Sequence, residues 1–273
     1  IIVDYFPPFE DSKNERAIDA FTRSGGLYIP AANNQGGWAS RLLLDFVPSA
    51  NGSVPVTLKS IRDIPLWSRF PDGTFFKRHT DKINTVAVSN LYWNEPLGAV
   101  RTACQLFVFS ADFRLITRSR GDAIYHGLPF KRFYYLPRTS VQWVAIGASR
   151  QLPSYPFAAP PLIAYLYDSS GASAAMRGHP GAETAITAAA YRWHVPSGPA
   201  FYSTWGPVTR YWSVNSEVQL RADSSVTGGF TSRFQSNVTV LSREGIVRLK
   251  PELGGADCLT TTHKIYSKFC GTS

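Results

Sequence analysis

The sequence predicts an all-β fold: an antiparallel sandwich or barrel with one or two short helices. Three observations carry this expectation. About eight runs either alternate apolar with polar residues or string together β-branched and aromatic ones. The connections between them are rich in glycine and proline, and the chain's 19 prolines suit loops and sheet edges. Helical spacing is confined to a few short stretches.

Taken in order, residues 1–40 read as an irregular arm, with turn-rich "FPPFED" and "SGGLYIPAANNQGGW" around one helix at "SKNERAIDAFTR". Ser12 is placed to cap that helix, and Ala17, Ile18 and Phe21 fall on one face. "RLLLDFV" and "VPVTLKSI" read as strands around the turn "PSANGS", and "TDKINTVAVSNLYW" as a third. In "EPLGAVRTACQLFVF", Leu97, Val100, Cys104 and Phe107 recur at three- and four-residue spacing, which predicts a helix. "SADFRLITRSR" switches to period two, with Phe113, Leu115 and Thr117 opposed to Arg114, Ile116 and Arg118. "SVQWVAIGA", "PLIAYLYD", "ETAITAAAYRWHVP", "RYWSVNSEVQL", "FTSRFQSNVTVLS" and "GIVRLKP" continue the strands; alanines leave the start of the third open to helix. Stretches 121–137, 150–161 and 168–183 read as long loops, where recognition tends to sit on a rigid β scaffold.

Composition bounds the function. Of 273 residues, 44% are hydrophobic and 14% aromatic, enough for a sizeable core. Only 17% are charged, which suggests surface covered by partners. The net charge of +9 is scattered without a polybasic block; it suits contact with polyanions such as RNA or sulfated glycans better than sequence-reading of nucleic acid. No stretch is long and apolar enough to span a membrane, and no signal peptide is visible. Cys104 reads as a core residue; Cys258 and Cys270 read as free thiols of a reducing compartment or as a pair. Two glycosylation sequons, at Asn51 and Asn237, matter only in a secreted chain.

No catalytic motif assembles. Cys258, His263 and Cys270 are too few and too widely spaced for zinc, even if Cys104 is recruited. "KFCGTS" places a cysteine four residues from the C-terminal end, a poor seat for a nucleophile. None of the histidines His79, His126, His179, His194 and His263 has a carboxylate at a spacing that implies pairing. Asp112, Asp122 and Asp168 would have to converge in space to act as glycosidase acids do. The sharpest signal is Arg120-Gly121-Asp122, a cation and a carboxylate on a glycine-permitted turn; it reads as a receptor-attachment candidate or as ordinary turn chemistry.

Four segments in order resemble picornavirus-like capsid proteins. "PLGAVRTACQLFVFSADFRLITRSR" is similar to the family's helix-then-strand segment, with Asp112, Phe113, Leu115 and Thr117 on its "x-D-L-x-V-x-V" pattern. "VQWVAIGASRQLPS" looks like the strand before a proline-rich corner, although Ala145-Ile146 stand where the first proline pair would be. "TAAAYRWHVPSGPAFYSTWG" resembles the tyrosine-serine-proline passage through Tyr191, Ser197, Pro199 and Gly206, without the proline before the tyrosine. "SRFQSNVTVLSREGIVRLKP" looks like the last strand. Their order resembles the subunit at the fivefold vertex.

The resemblance implies an eight-stranded antiparallel jelly-roll β-sandwich with extended terminal arms: arm 1–40, capsid domain 41–250, tail 251–273. It implies no enzyme, no metal and no cofactor beyond a lipid-like molecule in an apolar pocket inside the sandwich. Its partners would be copies of itself, other capsid subunits in an icosahedral shell, packaged genomic RNA through phosphates, and a host receptor met by loops such as Arg120, Gly121 and Asp122. The location would be the virion, with assembly in the host cytoplasm, and the start at Ile1 would follow polyprotein cleavage. Rival expectations are a carbohydrate-binding sandwich stacking sugars on Trp143, Trp193, Trp205 and Trp212, and a β-sandwich hydrolase.

Overall fold

The structure is a computed structural model. It describes residues 9–11, 13–32, 39–153, 155, 159–167, 176, 178–192, 199–200, 203–204, 206–222, 230–257, 259–260 and 268–269. The chain is mostly β, in antiparallel sheets with few helices, and sandwich-like. No helix among the described residues is long and apolar enough to cross a membrane.

The N-terminal part gives β1 (Glu10–Asp11) and α1 (Lys13–Arg23). Next come β2 (Ala39–Leu43), β3 (Asp45–Pro48), one helical turn α2 (Val56–Lys59), β4 (Leu66–Arg69) and β5 (Lys77–Thr80). The centre carries β6 (Ala87–Trp93), β7 (Thr102–Phe109), β8 (Leu115–Arg118), the short α3 (Ala123–His126), β9 (Phe130–Tyr135), β10 (Val141–Gln151) and β11 (Ile163–Tyr167). One sheet runs β3-β4-β10-β7-β8, with β5 also on β10; the other runs β2-β11-β6-β9. Leu106, Val108 and Ile146 of the first meet Leu91, Trp93 and Leu166 of the second in one buried core.

Each sheet is covered on its outer face as well. Outside the first, Phe107, Phe109 and Ala145 bury Trp67, Leu58 and Ile64. Gly147 lies so close beneath this layer that a Cβ there would stand 2.6 Å from Ile64 Cγ2. Outside the second, Tyr92, Tyr165 and Tyr167 pack against Phe9, Tyr211, Trp212 and Val214; Phe9 stacks on Tyr165 with ring centroids 4.9 Å apart.

The C-terminal strands are β12 (Ala188–Arg192), β13 (Val208–Arg210), β14 (Trp212–Ala222), β15 (Phe230–Val240), β16 (Ile246–Arg248), β17 (Leu253–Asp257), and the two-residue β18 (Leu259–Thr260) and β19 (Lys268–Phe269), and β14 and β15 contribute to that outer cover. β14 and β15 form a long antiparallel hairpin, whereas β12 with β17 and β1 with β14 are parallel pairs. The N-terminal arm is tied to this part: β1 lies on β14, and Pro30 O accepts from Ala188 N at 3.0 Å.

Double coverage corrects several sequence expectations. The expected helix through Leu97–Phe107 is strand β7, nearly all buried. With both faces covered, apolar residues have no reason to alternate, and a continuous run imitates helical spacing. "VPVTLKSI" is the turn α2, because Pro55, at φ −57°, opens a helical turn that drops Leu58 into the outer layer. Helix α1 is where the spacing predicts, but its buried residues are Glu15 and Asp19, and Phe21 is exposed. The seat beneath α1 is ionic: Arg248 clamps Asp11 through two bonds of 2.7 and 2.6 Å, Arg210 Nε lies 3.3 Å from the same carboxylate, and Arg210 is fully buried. Residues 121–137 carry α3 and β9 instead of a loop, and β8 is only the four residues Leu115–Arg118. Ser12, the expected cap of α1, lies outside the described residues.

Candidate functional site

Arg120, Gly121 and Asp122 follow the edge strand β8. Gly121 has φ +84°, the left-handed turn that glycine takes without strain. Asp122 is the N-cap of α3: its Oδ1 accepts from Ile124 N at 2.9 Å and Tyr125 N at 3.3 Å. Its Oδ2 accepts from Arg150 at 2.8 Å. Beneath the turn the buried Lys131 donates to Arg120 O at 3.1 Å and Gly121 O at 2.6 Å. Burial pulls the Lys131 ammonium down from its ordinary range, though Asp122 opposes this. Of the tripeptide's two charges, only the exposed Arg120 faces solvent without a carboxylate partner among the described residues. A polar groove of about 570 Å³ runs beside it, lined by Gln105, Thr117, Arg118 and Ser149.

The other sequence candidates scatter. Asp112 pairs with Arg114 in the β7–β8 turn, at the opposite end of β8 from Asp122. Cys104 is a buried free thiol of the core, and burial pushes its pKa well up. Trp212 is buried, and Trp143 stacks on Phe113 at 5.1 Å. Asp168, Trp193, His194, Ser197, Trp205, Cys258, His263, Cys270 and the side chain of His179 lie outside the described residues. Among the described residues no three His, Cys, Asp or Glu side chains converge as a metal site.

Two buried polar centres escaped the sequence reading. The first is His79, whose Nε2 lies 2.9 Å from Asp81 Oδ2, an oxygen that also accepts from the Tyr135 hydroxyl. Burial pushes Asp81 up, but the bonds from His79 and Tyr135 outweigh it and hold the carboxyl below its ordinary range. The two residues are two apart at the end of β5, so they share a face; a His-x-Asp step was the available signal. The network joins β5 of one sheet to β9 of the other.

The second centre is Glu95, just past β6. Its Oε2 accepts from Trp93 Nε1 at 2.8 Å, Thr102 N at 2.9 Å and Arg101 N at 3.1 Å; its Oε1 accepts from Thr102 Oγ1 at 2.8 Å. All four donors are neutral. Burial pushes the Glu95 pKa up against these bonds. Neighbouring Asn94 is fixed as firmly: its side chain bridges Pro161 O and Ile163 N at 2.7 Å each, and its carbonyl accepts from Trp212 Nε1 at 2.6 Å. Both residues line a cavity of about 500 Å³ where the second sheet meets the β10–β11 connection and Trp212. The space between the sheets, where the resemblance implies a pocket, is filled among the described residues by Trp93, Leu106, Val108, Ile146 and Leu166. No family model, curated protein or solved structure matches the chain.

Proposed function

We propose that the chain is a structural coat subunit of a small icosahedral RNA virus, an eight-stranded jelly roll whose activity is packing against copies of itself and sister subunits. The strand wiring is the observation that carries this reading. With β4 and β5, which both pair with β10, taken as one strand position and β3 as an added edge strand beyond it, the orders are β2-β11-β6-β9 and β4-β10-β7-β8. Each sheet sets the earliest strand beside one of the latest, as happens when a long double-stranded ribbon is wrapped into a sandwich. Viral capsid proteins have this wiring, as do lectins and cupins. In this reading the sandwich proper runs from Ala39 to Tyr167 and the later strands elaborate it. The 97–118 segment lends no support as a helix-then-strand motif, because it is a hairpin.

A coat is favoured over a lectin or hydrolase by what the surface offers. Among the described residues strand β9 ends its sheet, and where β6 meets it Val86, Val88, Tyr134 and Leu136 are exposed, with Val88 directly opposite Tyr134. Apolar side chains along an open edge invite a neighbouring subunit. The surplus of basic residues suits RNA phosphates. Trp212 is buried, and the half-buried Trp143 already has Phe113 stacked on its ring, so neither offers an unoccupied platform of the kind a sugar-binding sandwich needs. Arg120 is the part of the 120–122 turn left to meet a host receptor. Sedimentation and negative-stain microscopy of the chain, with the proteins that accompany it in its native source, test the proposal. Closed megadalton particles containing RNA are expected; a chain that stays monomeric with those partners overturns it.

A further inference from the structure

The cavity beside Glu95 holds two opposite charges that do not pair with each other. The carboxylate of Glu95 is 6% exposed and takes only neutral donors, with a single hydroxyl on Oε1. Arg101 gives its backbone N–H to that carboxylate but sends its guanidinium elsewhere, to Pro153 O at 2.9 Å and over the Tyr155 ring at 4.7 Å. Neither the buried Glu95 side chain nor the partly exposed Arg101 side chain has an ionic partner among the described residues. A guanidinium has five N–H donors in a fork that matches a carboxylate, and one bond to Pro153 leaves most of them available. The same cavity is lined by the apolar Leu152, Pro160, Leu162 and Trp212.

We propose that this cavity binds a free aliphatic amino acid as its zwitterion. The ammonium group sits on Glu95 Oε1, the carboxylate on Arg101, and the side chain along Leu152, Pro160 and Leu162. A zwitterion supplies both missing counter-charges at once, whereas a simple amine would leave Arg101 beside a second cation and a simple carboxylate would approach Glu95 uncompensated. The walls are fixed before any ligand arrives, because Asn94, Glu95 and the Tyr155 hydroxyl, which donates to Ala99 O at 2.8 Å, are tied internally. The volume lies within the range of small-molecule sites. This inference is independent of the coat proposal, and a monomeric chain tests it equally well.

Calorimetric titration of the purified chain with L-leucine, n-butylammonium and isovalerate decides it. Saturable leucine binding is expected, about tenfold or more tighter than either half-ligand, and weakened about tenfold by Arg101→Gln. Glu95→Gln is expected to weaken it similarly; should that variant fail to fold, Arg101→Gln carries the test. Absence of saturable leucine binding, equal binding of a half-ligand, or leucine binding unchanged in Arg101→Gln overturns the assignment.

Discussion

Asp11 and Glu95 are both buried carboxylates that fasten one part of the chain to another, and they do it by opposite means. Asp11 holds the N-terminal arm to the C-terminal strands through cations, with Arg248 bidentate upon it and Arg210 behind. Burial pulls the Arg248 guanidinium down, but its bonds to Asp11 outweigh this and raise its pKa. Glu95 holds the crossover from β6 to β7 through neutral dipoles alone. In the first, each charge exists at the expense of another that cannot be left alone. In the second, one charge is solvated by fixed donors, and neutralising it strands no cation. The difference decides which contact tolerates substitution and which responds to acid.

The largest expected effect breaks the first contact. Asp11→Ala leaves the fully buried Arg210 and the nearly buried Arg248 without their shared carboxylate. Removing one partner from such a cluster costs about 3–5 kcal/mol. Urea denaturation reads the loss, and limited proteolysis reads where it falls: cleavage near α1 is expected before cleavage in the sandwich. A loss under about 1 kcal/mol would mean that water reaches these arginines easily.

Glu95 sharpens the comparison through pH. Its pKa is raised in the folded chain, so folding favours the protonated form. The stability it contributes is therefore fully present below the ordinary glutamate pKa, and is lost as pH rises through the raised one. Glu95→Gln resembles the protonated state and removes this dependence. The stability of the parent relative to Glu95→Gln should therefore rise as pH is lowered from neutral into the carboxylate range, and urea midpoints of the two proteins across that range check it. Glu95→Ala is a different matter, since four donors lose their acceptor at a cost of about 3 kcal/mol.

These two contacts were illegible in the sequence for different reasons. The presence of a strand at β6 and the turn chemistry near Gly121 and Asn51 are local, and they appear in the residues themselves; the alternation of Val86 and Val88 marks an exposed face instead of the core. The Asp11 cluster joins residues almost a chain length apart, so no spacing reveals it. Nor does spacing foresee the buried face of α1: Ala17, Ile18 and Phe21 mark an apolar face, yet Glu15 and Asp19 are the residues turned inward, with Asp19 accepting from Thr184 N and Oγ1. Strand β7 fails as a pattern for the reason it succeeds as a core strand. Leu58 and Ile64 cover one side of its sheet while Leu91 and Leu166 cover the other. Glu95 had only "WNEP" to announce it, and nothing in that tetrapeptide says that Thr102 and Trp93 will close around the carboxylate.

Asp122 extends the comparison to a carboxylate in contact with water, where the smallest effect is expected. It has a cation, Arg150, as Asp11 does, and backbone donors, Ile124 and Tyr125, as Glu95 does. Its side chain is 43% exposed, so solvent substitutes for whatever is removed. Asp122→Ala should cost about 1 kcal/mol, mostly the lost cap of α3, and Asp122→Asn, which keeps a capping oxygen, less than half of that. If the turn is an attachment site that reads both charges, either change abolishes cell attachment by assembled particles. If only Arg120 is read, Asp122→Asn leaves attachment intact while Arg120→Gln removes it. The bonds already committed to α3 and Arg150 favour the second outcome, because a receptor metal would have to strip Asp122 of its partners before binding it.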